Sequence, residues 1–598
     1  MLKELVETQL QRALEALDLP EPPAYQLKRS ERPEHGDLST NVAFALAKQA
    51  GQAPRRLAEQ LAEQLRTQSD SPFESVAVAG AGFVNFKLKH EQIHQVLDRI
   101  LRYQFEEPDY YYGISHQGEG KAAQVEFVSA NPTGPLTLGH GRQAILGDVI
   151  ARLLENAGYR VTREFYYNNA GRQMRLLGQS VQARYLEELG RPAQFPEEGY
   201  HGEYIREIAR KIRAEQGDAW AEAATDQFKD YAEAEIFAGI RRTLGRLFRR
   251  PADQAFDIYY NESSLYGRGP QRPLATVDLI TEWLRAASLA YDKDGAVWFK
   301  ATASGRPEDR VIVRRSGEPT YRLPDIAYHL DKLARGFDLI IDIFGADHHD
   351  TYQDVLAALK GLCQNIPELK QYEPERIRVL IHQFVTLTRG GQQVKMSKRL
   401  ANYVTIDDLI DELAATVKLE EQTQEAARTP EQLREAFAVN AVRYFFLMRN
   451  PDSHLQFDFD LAKAQSKENP VYYVMYAHTR IAAINAEYFT VFTERNTYRD
   501  PAAEDLSLLQ QPEELALIKQ LDALPEVLAE ALDQLRPNLV TNYAFELARL
   551  FHDFYEQHRV VDASRPELTV ARMALLHGID IVFGRLFGLL GLFAPRYM

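Results

Sequence analysis

Apolar residues recur at helical spacing over about residues 2–17, 39–50 and 54–66. A short strand pair then reads in VAVAGAGFVNFKLK (76–89), with glycines at its turn. Together these predict a separate N-terminal α+β domain over 1–110. The run EEPDYYYGISHQGEGK (106–121) mixes Pro, Gly and polar residues and reads as the first linker. Beyond it the pattern changes. AAQVEFV (122–128) has the continuous apolar character of a buried strand, and the loop SANPTGPLTLGHGR (129–142) follows it. A helix then runs to about residue 157, with Ile145, Val149, Ile150, Leu153, Leu154 and Ala157 on one face. Residues 159–167 form the next strand. Strand, loop, helix and strand make a βαβ unit, whose crossover should be right-handed.

From about 170 to 275 the pattern is helical and highly charged, and it interrupts the α/β alternation. Strands read again at 297–301, 310–323, 338–349 and 376–387, with helices at about 325–335 and 350–362 between them. The expectation is a parallel-type sheet domain over 111–405 that carries a helical insertion at about 170–275. The rest, 406–598, reads as nearly all helical, with an acidic, Ala/Gln-rich stretch at 417–435 as exposed helix or connection. No run of eighteen apolar residues suggests a membrane span, and the first twenty residues read as an amphipathic helix rather than a targeting peptide.

Length and charge narrow the classes. At ~150 residues per domain the 598 residues suggest about four domains. Eighty-five acidic against 70 basic side chains leave a net charge of −15. That argues against a general nucleic-acid coat protein but leaves room for local basic patches, such as 206–213 and 241–250, which read as solvated helix faces or RNA contacts. The lone Cys363 excludes an intrachain disulfide and a Cys-rich zinc site, and it fits a reducing compartment.

Two segments carry chemistry. The loop after the 122–128 strand enters a helix N-terminus, where free N–H groups and the helix dipole suit phosphate. Gly134, Gly139 and Gly141 admit close backbone approach, and His140 stands at the helix start. About 255 residues on, Lys395, Met396, Ser397 and Lys398 follow a Gly-Gly turn, a loop able to swing two cations onto polyphosphate.

As a pair these segments resemble the signatures of class I aminoacyl-tRNA synthetases. TLGH (137–140) is similar to the HIGH motif, with Thr137 in place of its first histidine, and residues 395–398 match KMSK. Within that class, VEFVSANPTGPLTLGHGRQAILGD (125–148), GYHGEYI (199–205), FDIYYNESSLY (256–266), PTYRLPDIAYH (319–329) and GADHH (345–349) resemble arginyl-tRNA synthetase. ENPVYYVMYAHTRI (468–481) resembles the start of that family's helical anticodon-binding domain. PEHGDLSTNVAFALAK (33–48) and GAGFVNFKL (80–88) resemble its N-terminal tRNA-contacting domain.

The resemblance implies a multidomain α/β protein: a Rossmann-type catalytic domain with a helical insertion, an N-terminal α+β domain and a C-terminal all-helical anticodon-binding domain. It implies ligation of L-arginine to its tRNA through an arginyl-adenylate, with ATP as substrate accompanied by Mg²⁺ and no zinc. His140, Lys395 and Lys398 are the implied catalytic residues, and Thr137, Gly139, Gly345, Asp347 and Ser397 complete the ATP site. Glu126, Asn131, Glu262, Tyr321, Asp325 and His348 are implied around arginine, with Tyr321 and Asp325 on one face at i, i+4 spacing. Tyr472, Tyr473, Tyr476, Arg480 and Met598 are implied at the anticodon loop, where the tyrosines read either as stacking platforms or as core. Each pocket acid also has a structural reading, Asp325 as a helix cap and Glu126 as an edge charge. A cytoplasmic monomer that engages no membrane, and that activates arginine only with tRNA bound, completes the expectation.

Overall fold

The structure, a computed structural model, describes the chain apart from residues 31, 69, 107–111, 395–403, 420–427, 495–504 and 597–598. The N-terminal region is a four-stranded antiparallel sheet in the order Leu27–Arg29, Leu38–Thr40, Phe83–Leu88 and Phe73–Ala79. Helices Leu2–Ala16, Val42–Ala50 and Pro54–Thr67 back it, and their leucines and valines form its core. The first two strands are three residues each, too short for an alternation to register in the sequence. This region sits on the C-terminal helices: Arg29 donates to Asp522 at 2.7 Å, and Lys519 pairs with Asp37 at 2.5 Å.

The central sheet has five parallel strands in the order Ile377–His382, Leu339–Gly345, Ala122–Glu126, Arg160–Tyr167 and Ile258–Asn261. The chain therefore leaves the Ala122–Glu126 strand to one side and returns on the other, a topological switch point whose carboxyl edge is where ligands bind in such sheets. Helix Leu138–Asn156 follows that strand and is buried almost all round. Gly147 lets it press onto the sheet, since a Cβ there would lie 2.1 Å from the Phe127 ring.

Three expectations change. The helical insertion, formed by Gly171–Glu188, Glu203–Gln216 and Thr225–Phe248, ends before the Ile258–Asn261 strand, which belongs to the main sheet although the charge pattern assigned it to the insertion. The strands expected at 297–301 and 310–323 lie outside the parallel sheet. They fall in a separate antiparallel sheet of Ala290–Lys293, Ala296–Phe299 and Arg310–Val313. Its tight turn places Asp294 and Gly295 at φ of 54° and 75°, the positive values that an Asp-Gly hairpin requires. The expected strand at 376–387 breaks at Gln383, and Val385–Arg389 instead pairs in parallel with Leu455–Asp458, a strand inside the region expected to be helical.

The remainder of the C-terminal region is helical: Ile406–Thr416, Pro430–Leu447, Pro470–Glu494, Pro512–Asp522, Leu524–Asp533, Asn538–Gln557 and Pro566–Leu590. The last of these, 25 residues long, is apolar enough to cross a membrane, which the absence of an uninterrupted apolar run did not anticipate. It is packed inside the helical domain, and Arg572 on it pairs with the buried Glu514 at 2.8 Å.

Arg443, fully buried on helix Pro430–Leu447, ties these parts together. Its Nη2 donates to Asp148 Oδ2 on the central helix at 2.7 Å, Nη1 to the Leu247 carbonyl at the end of the insertion at 2.7 Å, and Nε to the Leu590 carbonyl at 2.9 Å. Gly591 caps that last helix at φ 65°, and any Cβ there would meet the guanidinium at 2.3 Å. Burial alone would raise the Asp148 carboxyl; Arg152 and Arg443 outweigh it and hold the group down at about 2. Replacing Arg443 with Met strands two helix-end carbonyls and half of the buried carboxylate's partners. The expected cost is about 3–5 kcal/mol, measured as a shift of the denaturant midpoint by circular dichroism.

Candidate active site

The site lies at the carboxyl edge of the sheet, beside the switch point. The Ala122–Glu126 strand ends in a tight turn whose Val128 and Ser129 have φ of 70° and 41°. The chain then runs through Asn131 and Gly134 to the central helix. Asn131 Oδ1 accepts from the Asn168 backbone at 2.9 Å, and its Nδ2 donates to Gln173 at 3.1 Å. Tyr204 from the insertion donates to the Thr133 carbonyl at 2.7 Å, and its ring fills the space that a side chain at Gly134 would need.

Thr137 is the N-cap of helix Leu138–Asn156 and forms a capping box with His140. The Thr137 N–H donates to His140 Nδ1 at 3.2 Å, and its hydroxyl lies 3.3 Å from the same nitrogen. A backbone N–H can only donate, so Nδ1 accepts and the ring's proton sits on Nε2. Gly139 has no crowding neighbour, whereas a Cβ on Gly141 would lie 2.1 Å from Ile406. Ile406 and Thr405 begin the helix that follows the lysine-containing loop. The Ile406 N–H donates to the Leu136 carbonyl at 3.0 Å, and Thr405 bridges Thr137. The first motif is thus stitched to the start of helix Ile406–Thr416, while Lys395, Ser397 and Lys398 lie outside the described residues.

The acids divide into two kinds. Glu126 is 3% exposed, with Oε1 accepting from Ser129 Oγ at 2.7 Å and Oε2 from Lys332. It stands beneath the edge as part of a buried network and not as an open edge charge. Lys332, fully buried, also donates to Asp342 at 2.5 Å, and His329 contacts the other Asp342 oxygen at 3.0 Å. Burial pulls the Lys332 ammonium down, but Asp342 and Glu126 more than offset it and raise it overall.

Glu262 and Asp325 stand differently. Glu262 accepts from the Tyr166 hydroxyl at 2.9 Å and from Asn168 Nδ2 at 2.8 Å. Burial raises its carboxyl; the Tyr166 hydrogen bond opposes this and the charge of Asp325 adds to it. Asp325, in the first turn of helix Arg322–Ala334, is raised to about 6, chiefly by burial, with His329 opposing and Glu126 adding. Among the described residues no side chain forms an ion pair with either carboxylate. Two desolvated acids near one another, with the Tyr166 hydroxyl on Glu262 and its ring packed on Tyr328, suit a cation with several donors.

Not every expected residue converges here. Tyr321 precedes that helix, but its side chain is 75% exposed and does not reach Asp325. The i, i+4 spacing brings their backbones together, with the Asp325 N–H 3.3 Å from the Tyr321 carbonyl, and not their side chains. Gly345 ends its strand, and Asp347 and His348 follow it, exposed, with the His348 ring stacked on Phe344 at 5.4 Å. Tyr166, Asn168 and Lys332 escaped the sequence reading. The first two could have been found by asking which residues end the strand beside the switch point.

In the C-terminal region, Tyr472 and Tyr476 stack at 6.0 Å on the half-exposed face of helix Pro470–Glu494, and the Arg480 guanidinium lies over Tyr476 at 5.2 Å. Tyr473 packs on helix Asn538–Gln557, 5.2 Å from Phe545 and 4.5 Å from His552, and Tyr476 also stacks on His552 at 5.7 Å. Met598 lies outside the described residues. The basic runs divide: the 206–213 run is a solvated helix face, its Arg206, Arg210, Lys211 and Arg213 all exposed, whereas in the 241–250 run Arg246 pairs with Asp407, Asp411 and Glu435 at 2.5–2.6 Å and Arg249 bonds Asn440 at 2.6 Å.

Comparison with known proteins places the chain among relatives. Three family models match it in succession: the arginyl tRNA synthetase N terminal domain over residues 4–88, the tRNA synthetases class I (R) catalytic domain over 109–459, and the DALR anticodon binding domain over 474–598. The arginine–tRNA ligase of Salinibacter ruber is 43% identical with 100% of both chains covered. That of Desulfotalea psychrophila is 44% identical over 95% of this chain and 94% of its own. The solved arginyl-tRNA synthetase of Thermus thermophilus superposes with a TM-score of 0.72 over 100% of both chains at 21% identity, which speaks for the fold. With full-length relatives above 40% identity and models matched in order along the chain, this protein belongs to the arginine–tRNA ligase family of class I aminoacyl-tRNA synthetases.

Proposed function

We propose that this protein joins L-arginine to its tRNA in two steps. The arginine carboxylate attacks the α-phosphorus of ATP, forming arginyl-adenylate and releasing pyrophosphate. A ribose hydroxyl of the tRNA 3′ end then attacks the activated carbonyl and releases AMP. The observation that carries the reading is the pair of desolvated acids, Glu262 and Asp325, at the carboxyl edge of a parallel sheet, beside a capped helix N-terminus bearing His140.

In this reading Asp325 and Glu262 receive the guanidinium, and Asn131 orients the α-ammonium. A neutral isostere leaves the acids uncompensated. The Nε2–H of His140 and the helix N-terminus meet the α-phosphate oxygens. Gly345, Asp347 and His348 lie where the nucleoside ends, and Lys395, Ser397 and Lys398 close over the leaving pyrophosphate. No side chain acts as a nucleophile, so positioning supplies most of the acceleration. Mg²⁺ arrives with the nucleotide, carried by its phosphates. The stacked Tyr472 and Tyr476 with Arg480 form a platform for unpaired anticodon-loop bases. The protein acts in the cytoplasm as a monomer.

The test is arginine-dependent ATP–pyrophosphate exchange with and without total tRNA. Exchange only with tRNA present supports both the substrate and tRNA-gated activation; none in either case rejects the reading. Lys398→Ala is expected to slow exchange by about tenfold or more with little change in arginine affinity; an unchanged rate removes that role. Ionised Asp325 is needed to hold a cation, and its carboxyl titrates at about 6. The arginine KM should therefore rise about fourfold between pH 7.5 and 5.5. Asp325→Asn should raise the KM throughout and flatten that dependence, as read from exchange rates across the pH range.

A further inference from the structure

We propose that Lys332 is a positioning residue for the arginine pocket: from beneath the sheet edge it clamps Glu126, and through Glu126 it holds a strained turn that sets the pocket's walls. The proposal rests on the arginine-ligase reading and adds a residue to it. The turn is Phe127–Ser129. The Ser129 N–H donates to the Phe127 carbonyl at 3.0 Å, which closes a three-residue turn around Val128 at φ 70°. That is the rare, strained form of γ-turn, and a β-branched residue is the worst choice for it. Ser129 follows at φ 41°, so two successive non-glycine residues sit in the left-handed region. Such a conformation persists only when its surroundings over-determine it.

The surroundings do so through one chain of contacts. Lys332 holds Glu126 Oε2, and Glu126 Oε1 accepts the Ser129 hydroxyl at 2.7 Å. The Ser129 oxygen accepts in turn from the Tyr166 N–H at 3.2 Å, and the Tyr166 hydroxyl supports Glu262 at 2.9 Å. Two residues past the turn, Asn131 accepts from the Asn168 N–H, and Asn168 holds the other Glu262 oxygen at 2.8 Å. The ammonium is fixed in its turn by Asp342 at 2.5 Å and lies 4.3 Å from the Tyr328 ring. Lys332 also stands on the same helix as Asp325, two turns on, so one rigid element carries both a pocket acid and the clamp for the opposite wall. A buried ion pair that only balanced charge would need none of these onward contacts, and a well-packed apolar pair would serve stability as well.

The experiment uses the full-length protein in arginine-dependent exchange with tRNA present. Ser129→Ala cuts the chain at its middle and should raise the arginine KM by about five- to twentyfold while the ATP KM stays within about twofold. Lys332→Met should act in the same direction and more strongly; if it does not fold, Ser129→Ala decides. Val128→Gly removes the backbone strain, so adding it to Ser129→Ala should restore at least about half of the lost affinity on a logarithmic scale. A folded Ser129→Ala with an unchanged arginine KM overturns the proposal. So do equal losses for ATP and arginine, or a double variant with no recovery. Absence of arginine-dependent exchange in the unaltered protein rejects the ligase reading itself, and with it this proposal.

Discussion

The fully buried guanidinium of Arg443 is the constraint on which the arrangement of parts depends. It carries a charge into an interior that penalises it, burial being the main reason its acidity is displaced to about 10. It remains charged because its donors fall on one carboxylate, Asp148, and on the carbonyl ends of two helices, where the dipole is negative. Those three acceptors belong to the central helix, the insertion and the last helix of the chain. Arg152 repeats the arrangement next to it, donating to Asp148 at 2.9 Å and to the Gly588 carbonyl at 3.0 Å. The helix whose first turn carries His140 is therefore fixed, about two turns along, by the same contacts that dock the last helix of the chain. A shift of either helix strains the Arg443–Asp148 pair, which gives a physical link between the central helix and the C-terminal domain.

The carboxylates separate fold from function by what surrounds them. Asp148 and Asp342 are buried beside cations that hold them at about 2, so they contribute stability above the usual carboxylate range that is lost only as pH falls toward that value. Asp325 and Glu262 are displaced the other way. An acid that holds its proton more tightly when folded loses stability as pH rises through its titration, so ionising Asp325 at neutral pH works against the fold. A ligand cation reverses that cost on binding. Among the described residues neither acid has a cation beside it, and Glu262 is held only by the neutral donors Tyr166 and Asn168.

How much of this could be read from the chain depends on the range of the interaction. The central βαβ unit was legible because its strands are continuous apolar runs and its helix follows at once. The Ile258–Asn261 strand was not, because four residues at the end of a charged block carry no period of their own and are recruited by pairing with Arg160–Tyr167. The antiparallel hairpin had a local signal, Asp294-Gly295, which was outweighed by the parallel pattern on either side. Glu262 and Asp325 could be named from family signatures, yet nothing local distinguishes them from Glu126, whose carboxylate is consumed by a lysine 206 residues away. The position of Tyr321 has the same origin: helical spacing predicts a shared face, but Tyr321 is the residue before the helix and its side chain is exposed.

Thr137 shows how a departure from a motif can be absorbed locally. As an N-cap it satisfies the helix start, and its backbone N–H fixes which nitrogen of His140 carries the proton. A histidine at the same position would cap the helix less well. The β-bridge from Thr137 to Thr405 and the absence of a side chain on Gly141, where Ile406 packs, place the start of helix Ile406–Thr416 against that same cap. The orientation of His140 and the start of helix Ile406–Thr416 are thereby set together through Thr137.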